Sequence, residues 1–156
     1  MISRLLPQPA DNAYRGHPSA LWLFGLLVAA KLAIAVNTMF RGSTVAQTAD
    51  GIPLDTFAPD AAQTVVSLFG LLGVLTFTLC VLCVVVLVRY RSLIPFMFVL
   101  LLFEYGARKL FLQAMPIPRT GAEPGLVINL VLVGLMLIGL VLSLMRRSAG
   151  PPANAT

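Results

Sequence analysis

The residues of this chain best able to do chemistry fall in one stretch, "LLLFEYGARKLFL", residues 100–112. Glu104, Tyr105, Arg108 and Lys109 stand there inside an otherwise apolar run. A carboxylate beside a phenol and a guanidinium can take a proton and hold an oxyanion, which is acid–base chemistry on a lipid or a quinone. The same groups can bind an anion, or can hold helices together through an ion pair. In a helix, Glu104 and Arg108 share a face, being four residues apart. Lys109 is turned about 100° from Arg108 and reaches outward along its apolar stem. One further cation, Lys31, is embedded in a second apolar run.

Other chemistry is poorly supported. "CVLC", residues 80–83, has the C-x-x-C spacing. Redox pairs of that spacing rely on a helix N-terminus to stabilise the thiolate. Here both cysteines sit deep in an apolar run and read as small apolar filler. His17 is the chain's only histidine, so neither a bis-His haem site nor a His-rich zinc site can be built. Phosphate-loop, dinucleotide and nucleophile-elbow motifs are absent from the sequence. No metal, no cofactor and no complete catalytic set is expected, so an enzyme ranks last among the readings.

The elements that must position these groups follow from composition. Of 156 residues, 58% are apolar and 11% charged, against about 25% charged in soluble domains. A soluble domain of this size has no means of hiding so much apolar surface. The net charge of +5 does not point to nucleic acid, because the basic residues are dispersed and form no basic helix. A membrane accounts for both facts. Four runs, roughly 19–40, 61–88, 92–114 and 125–145, supply the about 20 apolar residues that cross a hydrocarbon core of about 30 Å. They are long and do not alternate, so helices are expected rather than a barrel. The expected fold class is an all-α membrane protein, with four transmembrane helices in an antiparallel up-down bundle.

The connections agree with this. Asp60 followed by Gln63 reads as an N-cap and capping box for the second helix. Pro95 falls in the first turn of the third, where a missing N–H costs little. Residues 89–91 are all that separates helices two and three, which implies a tight hairpin. Segment 115–124 is rich in proline and ends helix three. Loop 41–60 is the longest connection, and residues 1–18 and 146–156 are terminal tails, the latter expected to be disordered.

Arginine and lysine set the orientation. One side carries Arg4, Arg15, Arg89, Arg91, Arg146 and Arg147 against Asp11 alone. On the other, Lys31, Arg41, Arg108, Lys109 and Arg119 are balanced by Asp50, Asp55, Asp60, Glu104 and Glu123. The positive-inside rule places the first side, and both termini, in the cytoplasm of a bacterial inner membrane. Residues 1–35 also have a signal-peptide outline, ending in "AIA", but the long n-region and Lys31 argue against cleavage.

Depth then pairs the charges. Lys31 lies 12 residues past Ser19, and Glu104 lies 12 past Ser92. Both are therefore about 18 Å from the inner edge, on helices running the same way. An isolated charge at that level costs about 2.5–3.5 kcal/mol, so an interhelical ion pair is expected, with Arg108 as a competitor for Glu104. Thr76 falls near the same level, and Asn37, Thr38, Gln113 and Asn129 lie further out. They make a polar layer over an aliphatic inner half. Asp50, Asp55 and Asp60 give the outer loop the acids of a lid, with Ile52 and Phe57 turned back toward the bundle; the alternative is a solvated, turn-rich loop.

Three functions are compatible with this pattern. The first is a small accessory or assembly subunit in which the polar layer joins helices. The second is a carrier, channel or lipid- or anion-binding protein using Lys31, Glu104 and Arg108. The third is the lipid or quinone enzyme, with Glu104 as base. Expected partners are membrane lipids, other membrane proteins or further copies of the chain, and not nucleic acid.

Overall fold

The computed structural model describes residues 5, 9–117 and 124–145. The expectations for Arg4, Arg119, Glu123, Arg146, Arg147 and the C-terminal tail lie outside the described residues. Among the described residues all regular structure is helical, dominated by α1 (Pro18–Phe40), α2 (Pro59–Arg89), α3 (Ile94–Ala114) and α4 (Pro124–Leu144). Three of these, α1, α2 and the Gly125–Leu144 part of α4, are long and apolar enough to cross a membrane. With 21 residues, α3 matches α4 in length, but Glu104, Arg108 and Lys109 set it apart in composition. The 31 residues of α2 extend about 46 Å. That exceeds a hydrocarbon core of about 30 Å, so the helix must tilt or protrude.

Helix ends follow local chemistry. His17 caps α1, its ring nitrogen accepting from the Ser19 N–H at 3.3 Å, with Pro18 opening the first turn. Pro95 lies in the first turn of α3. At α2 the capping-box expectation is corrected: Ala58 is the N-cap and makes no side-chain bond. Pro59 starts the helix one residue before Asp60, which leaves Asp60 in the first turn. There its charge favours the positive helix end without capping it. At the other end of α2, Arg91 Nε donates to the Leu87 carbonyl at 3.0 Å. The chain reverses through Tyr90 and a 3-10 turn, Arg91–Leu93.

The N-terminal segment is strapped across this turn end. The Asp11 N–H donates to Ser92 Oγ at 3.0 Å, and Ser92 Oγ donates to the Asp11 carbonyl at 2.7 Å. The His17 N–H donates to the Leu142 carbonyl at 3.2 Å. Tyr14 tucks beneath, its hydroxyl buried without a hydrogen-bond partner among the described residues. Burial pushes that hydroxyl up to about 12, so it stays neutral.

α1 is the central helix, packed most extensively on α2 and also on α4, while α3 packs on α4. Although a short turn joins them, α2 and α3 scarcely touch along their length. The hairpin is therefore splayed. Its turn end is filled by Phe24, Leu27 and Val28 from α1, Cys83 and Val86 from α2, and Met136 from α4. Ile94, Met97, Phe98 and Leu101 complete this core from α3. Phe24 and Phe98 meet edge to face, with centroids 5.2 Å apart at 71°. Every buried residue of α3 lies between Ile94 and Leu101. Beyond Leu101 the helix is half-buried or exposed. α3 thus differs along its length: packed into the core at the turn end, detached from it at the loop end.

The loop between α1 and α2 folds back as a lid. It forms short helical turns at Gly42–Thr44, Val45–Ala49 and Leu54–Thr56. Ala46, Ile52 and Leu54 are buried, with Phe57, Val66 and Phe69 packed against them. Gly51 makes the reversal possible with a φ of 67°, a region that costs a residue with a Cβ about 1–2 kcal/mol. Gly51→Ala is therefore expected to destabilise the lid by about that much, read as lost amide-exchange protection across 45–57 with the α3–α4 packing unchanged.

Candidate functional site

The site stands where the buried stretch of α3 ends. α1 turns Ala20, Phe24, Leu27, Val28, Lys31 and Ala35 inward, the three-and-four spacing of one helical face. Lys31 is thus on the core stripe, 8% exposed. Glu104 continues the buried stripe of α3 one turn past Leu101. Lys31 Nζ donates to Glu104 Oε2 at 3.1 Å, making the buried ion pair that depth counting requires. The pair ties α3 to α1 at the point where α3 stops being buried.

Arg108, the competing cation, does not take Glu104. Its guanidinium carbon lies 5.9 Å from the centre of the Tyr105 ring. It makes no ion pair or hydrogen bond among the described residues. One turn beyond Glu104, the guanidinium is further from the carboxylate than Lys31, which reaches across from the opposite helix. Tyr105 is half-buried and Lys109 is exposed.

Above the ion pair is a cavity of 270 Å³, walled by all four long helices and the lid. Lys31, Asn37 and Thr38 face it from α1, Thr76 from α2, Glu104 and Arg108 from α3, and Asn129 from α4. Asp50 faces it from the lid, beside Val45, Ala49 and Ile52. The rest of the wall is aliphatic or aromatic, including Ile34, Phe69, Leu72, Leu112 and Leu132. Thr76 keeps its hydroxyl bonded to the Leu72 carbonyl at 2.9 Å, and Thr78 bonds Val74 in the same way.

Of the residues singled out in the sequence, Lys31, Glu104, Arg108, Asn37, Thr76 and Asp50 share this chamber. Tyr105 stands behind Arg108, and Lys109 is outside it. Asp55 and Asp60 do not reach it. Both are exposed, and neither forms an ion pair among the described residues. Asp55 follows buried Leu54 in a tight turn and so faces away, and Asp60 lies on the exposed side of the first turn of α2. The apolar walls carry no signal in the sequence, because lipid-facing and chamber-facing leucines read alike. Gly125 is also new: a Cβ there would sit 2.9 Å from the Ala49 carbonyl, so the lid rests on the first turn of α4.

Cys80 and Cys83 are free, buried thiols. Among the described residues no group of three His, Cys, Asp or Glu side chains is placed to hold a metal. The fold and its apolar helices define a helical membrane protein. Compared with protein-family models, curated proteins and solved structures, the chain matches none.

Proposed function

We propose that the protein crosses a bacterial inner membrane four times, with both termini in the cytoplasm, and that its chamber binds a small amphiphilic ligand from the outer half of the bilayer. The supporting observation is the chamber itself, 270 Å³ with charged and amide groups gathered among aliphatic walls. That volume lies just under the about 300–1,000 Å³ of drug-sized sites, and the lining has their make-up, apolar with a few convergent polar groups. α3 becomes the fourth span because Lys31 matches Glu104 and Arg108 lines the chamber, while Lys109 lies nearer the helix end and reaches outward along its apolar stem. The basic turn at Arg89 and Arg91 then faces the cytoplasm.

The accessory role, first among the readings of the sequence, becomes the second reading. The observation that favours it is the large uncovered apolar surface of α2 and α4, whose most apolar stretches are only 22% and 17% buried. In that case the ion pair joins helices, and partner helices cover those faces.

Filling the chamber separates the two. Leu132 lines it from α4 and is half-buried. Wild-type protein in a mild detergent is expected to retain a bound molecule in native mass spectrometry. Leu132→Trp is expected to lose it while staying folded and monodisperse. A wild type that carries nothing, together with a stoichiometric partner protein in the same preparation, would establish the accessory reading instead.

A further inference from the structure

Resting on the ligand-binding reading, we propose that the ligand is a single-chain anionic amphiphile. Arg108 holds its carboxylate or phosphate head, and its chain leaves the chamber sideways between α2 and α3.

The charge argument begins with what is already matched. Lys31 and Glu104 neutralise each other at 3.1 Å. Asp50 is itself engaged in an interaction. Arg108 is different: it lines the chamber, and its described contact is with the neutral Tyr105 ring. A guanidinium presents a planar fork of donors that matches a carboxylate or phosphate bidentately, and the ring beneath limits where that fork points. An acidic head therefore supplies a counter-charge that no described residue gives Arg108. Among the described residues a cationic head finds no unmatched carboxylate, since Glu104 has Lys31 and Asp50 is engaged.

The shape argument sets the tail. Below, the chamber is closed by the Phe24–Phe98 core. Val45, Ala49 and Ile52 cover it at the loop end. α1 packs closely on both α2 and α4, and α3 packs on α4. α2 and α3 both line the chamber yet scarcely meet, so the seam between them is its lateral opening. Leu72 from α2 and Leu112 from α3 give the chamber an apolar lining on these two helices. At 270 Å³ the chamber takes a compact head and the first part of a chain, not a whole lipid. The remainder of the chain lies along the seam, in hydrocarbon.

The test uses the full-length protein in phosphatidylcholine nanodiscs, with three photoreactive probes carrying a diazirine at mid-chain. These are a palmitate, an alkyl phosphate and an alkyltrimethylammonium of equal chain length. The two anionic probes are expected to label α2 and α3 around Leu72 and Leu112, each displaced by its unlabelled parent, and the cationic probe is not. Palmitate and alkyl phosphate labelling to different extents assigns the head within the anionic class. Arg108→Gln is expected to lower anionic labelling about tenfold, while Lys109→Gln leaves it unchanged. Arg108 is exposed and holds no core contact, so a matching melting temperature checks the fold. Equal labelling by the cationic probe, undiminished labelling of Arg108→Gln, or labels away from the seam would overturn the inference while leaving a binding chamber. Labelling by no probe, with no loss in Leu132→Trp, would overturn the binding reading as well.

Discussion

Lys31→Ala is expected to leave Glu104 as an uncompensated carboxylate inside the bundle and to reduce accumulation of the protein sharply. The pair is 3.1 Å apart, with side chains 10% and 30% exposed. A lone charge near the bilayer centre costs about 2.5–3.5 kcal/mol on insertion scales, and breaking a buried pair is costly for the same reason. The effect extends beyond two residues, because no part of α3 past Leu101 is buried. Without Lys31, the outer half of α3 loses its tie to α1, and the chamber loses the wall that carries Arg108. Glu104→Ala is expected to be the milder change. Its remaining lysine has a long apolar stem, along which the ammonium can move toward water. A Lys31→Glu, Glu104→Lys exchange restores opposite charges at one level and is expected to recover most of the accumulation. The measurement is membrane-fraction abundance together with melting in detergent for the singles and the exchange. Wild-type abundance of both single variants would remove the pair from any structural role.

How much of this was readable beforehand depends on what lipid does to sequence patterns. The Lys31–Glu104 level was readable because helical rise is fixed, and two charges in oil stand out against their neighbours. The polar layer over an aliphatic half was readable for the same reason, and Asn37, Asp50 and Arg108 do gather at the chamber. The mutual arrangement of the helices was not. The short turn at Tyr90 fixes where α2 and α3 start, but not whether they stay together. Lipid is as apolar as leucine, so an apolar helix surface does not announce which side meets a neighbour. The misplaced features were the local polar ones. Asp60 resembles an N-cap until Pro59 takes the first helical position. Asp55 resembles a lid acid until the burial of Leu54 turns it outward. In both cases a single adjacent residue decided the direction of the side chain.

The glycines show the same ambiguity and give the second large effect. Gly73 of α2 and Gly134 of α4 look alike in sequence, each small and inside an apolar helix. A Cβ on Gly73 would fall 2.7 Å from the Met39 backbone nitrogen and 3.0 Å from the Ala35 carbonyl oxygen. A Cβ on Gly134 would meet nothing within 4 Å. The Met39 and Ala35 atoms are backbone, so no rotamer change relieves the clash, and α1 and α2 must move apart. This is the most extensive helix contact in the protein. Close approach through small residues is what holds helices together where no hydrophobic drive exists. Gly73→Leu is therefore expected to destabilise by about 2–3 kcal/mol, in the range of overpacked cores. The same substitution at Gly134 is expected to cost close to nothing. Because Ala35 also lines the chamber, Gly73→Leu should open the site as well as loosen the fold, lowering ligand retention beyond the loss of stability. Melting of the two variants side by side in one detergent makes the comparison. Equal destabilisation at both glycines would mean that the α1–α2 approach is not what Gly73 serves.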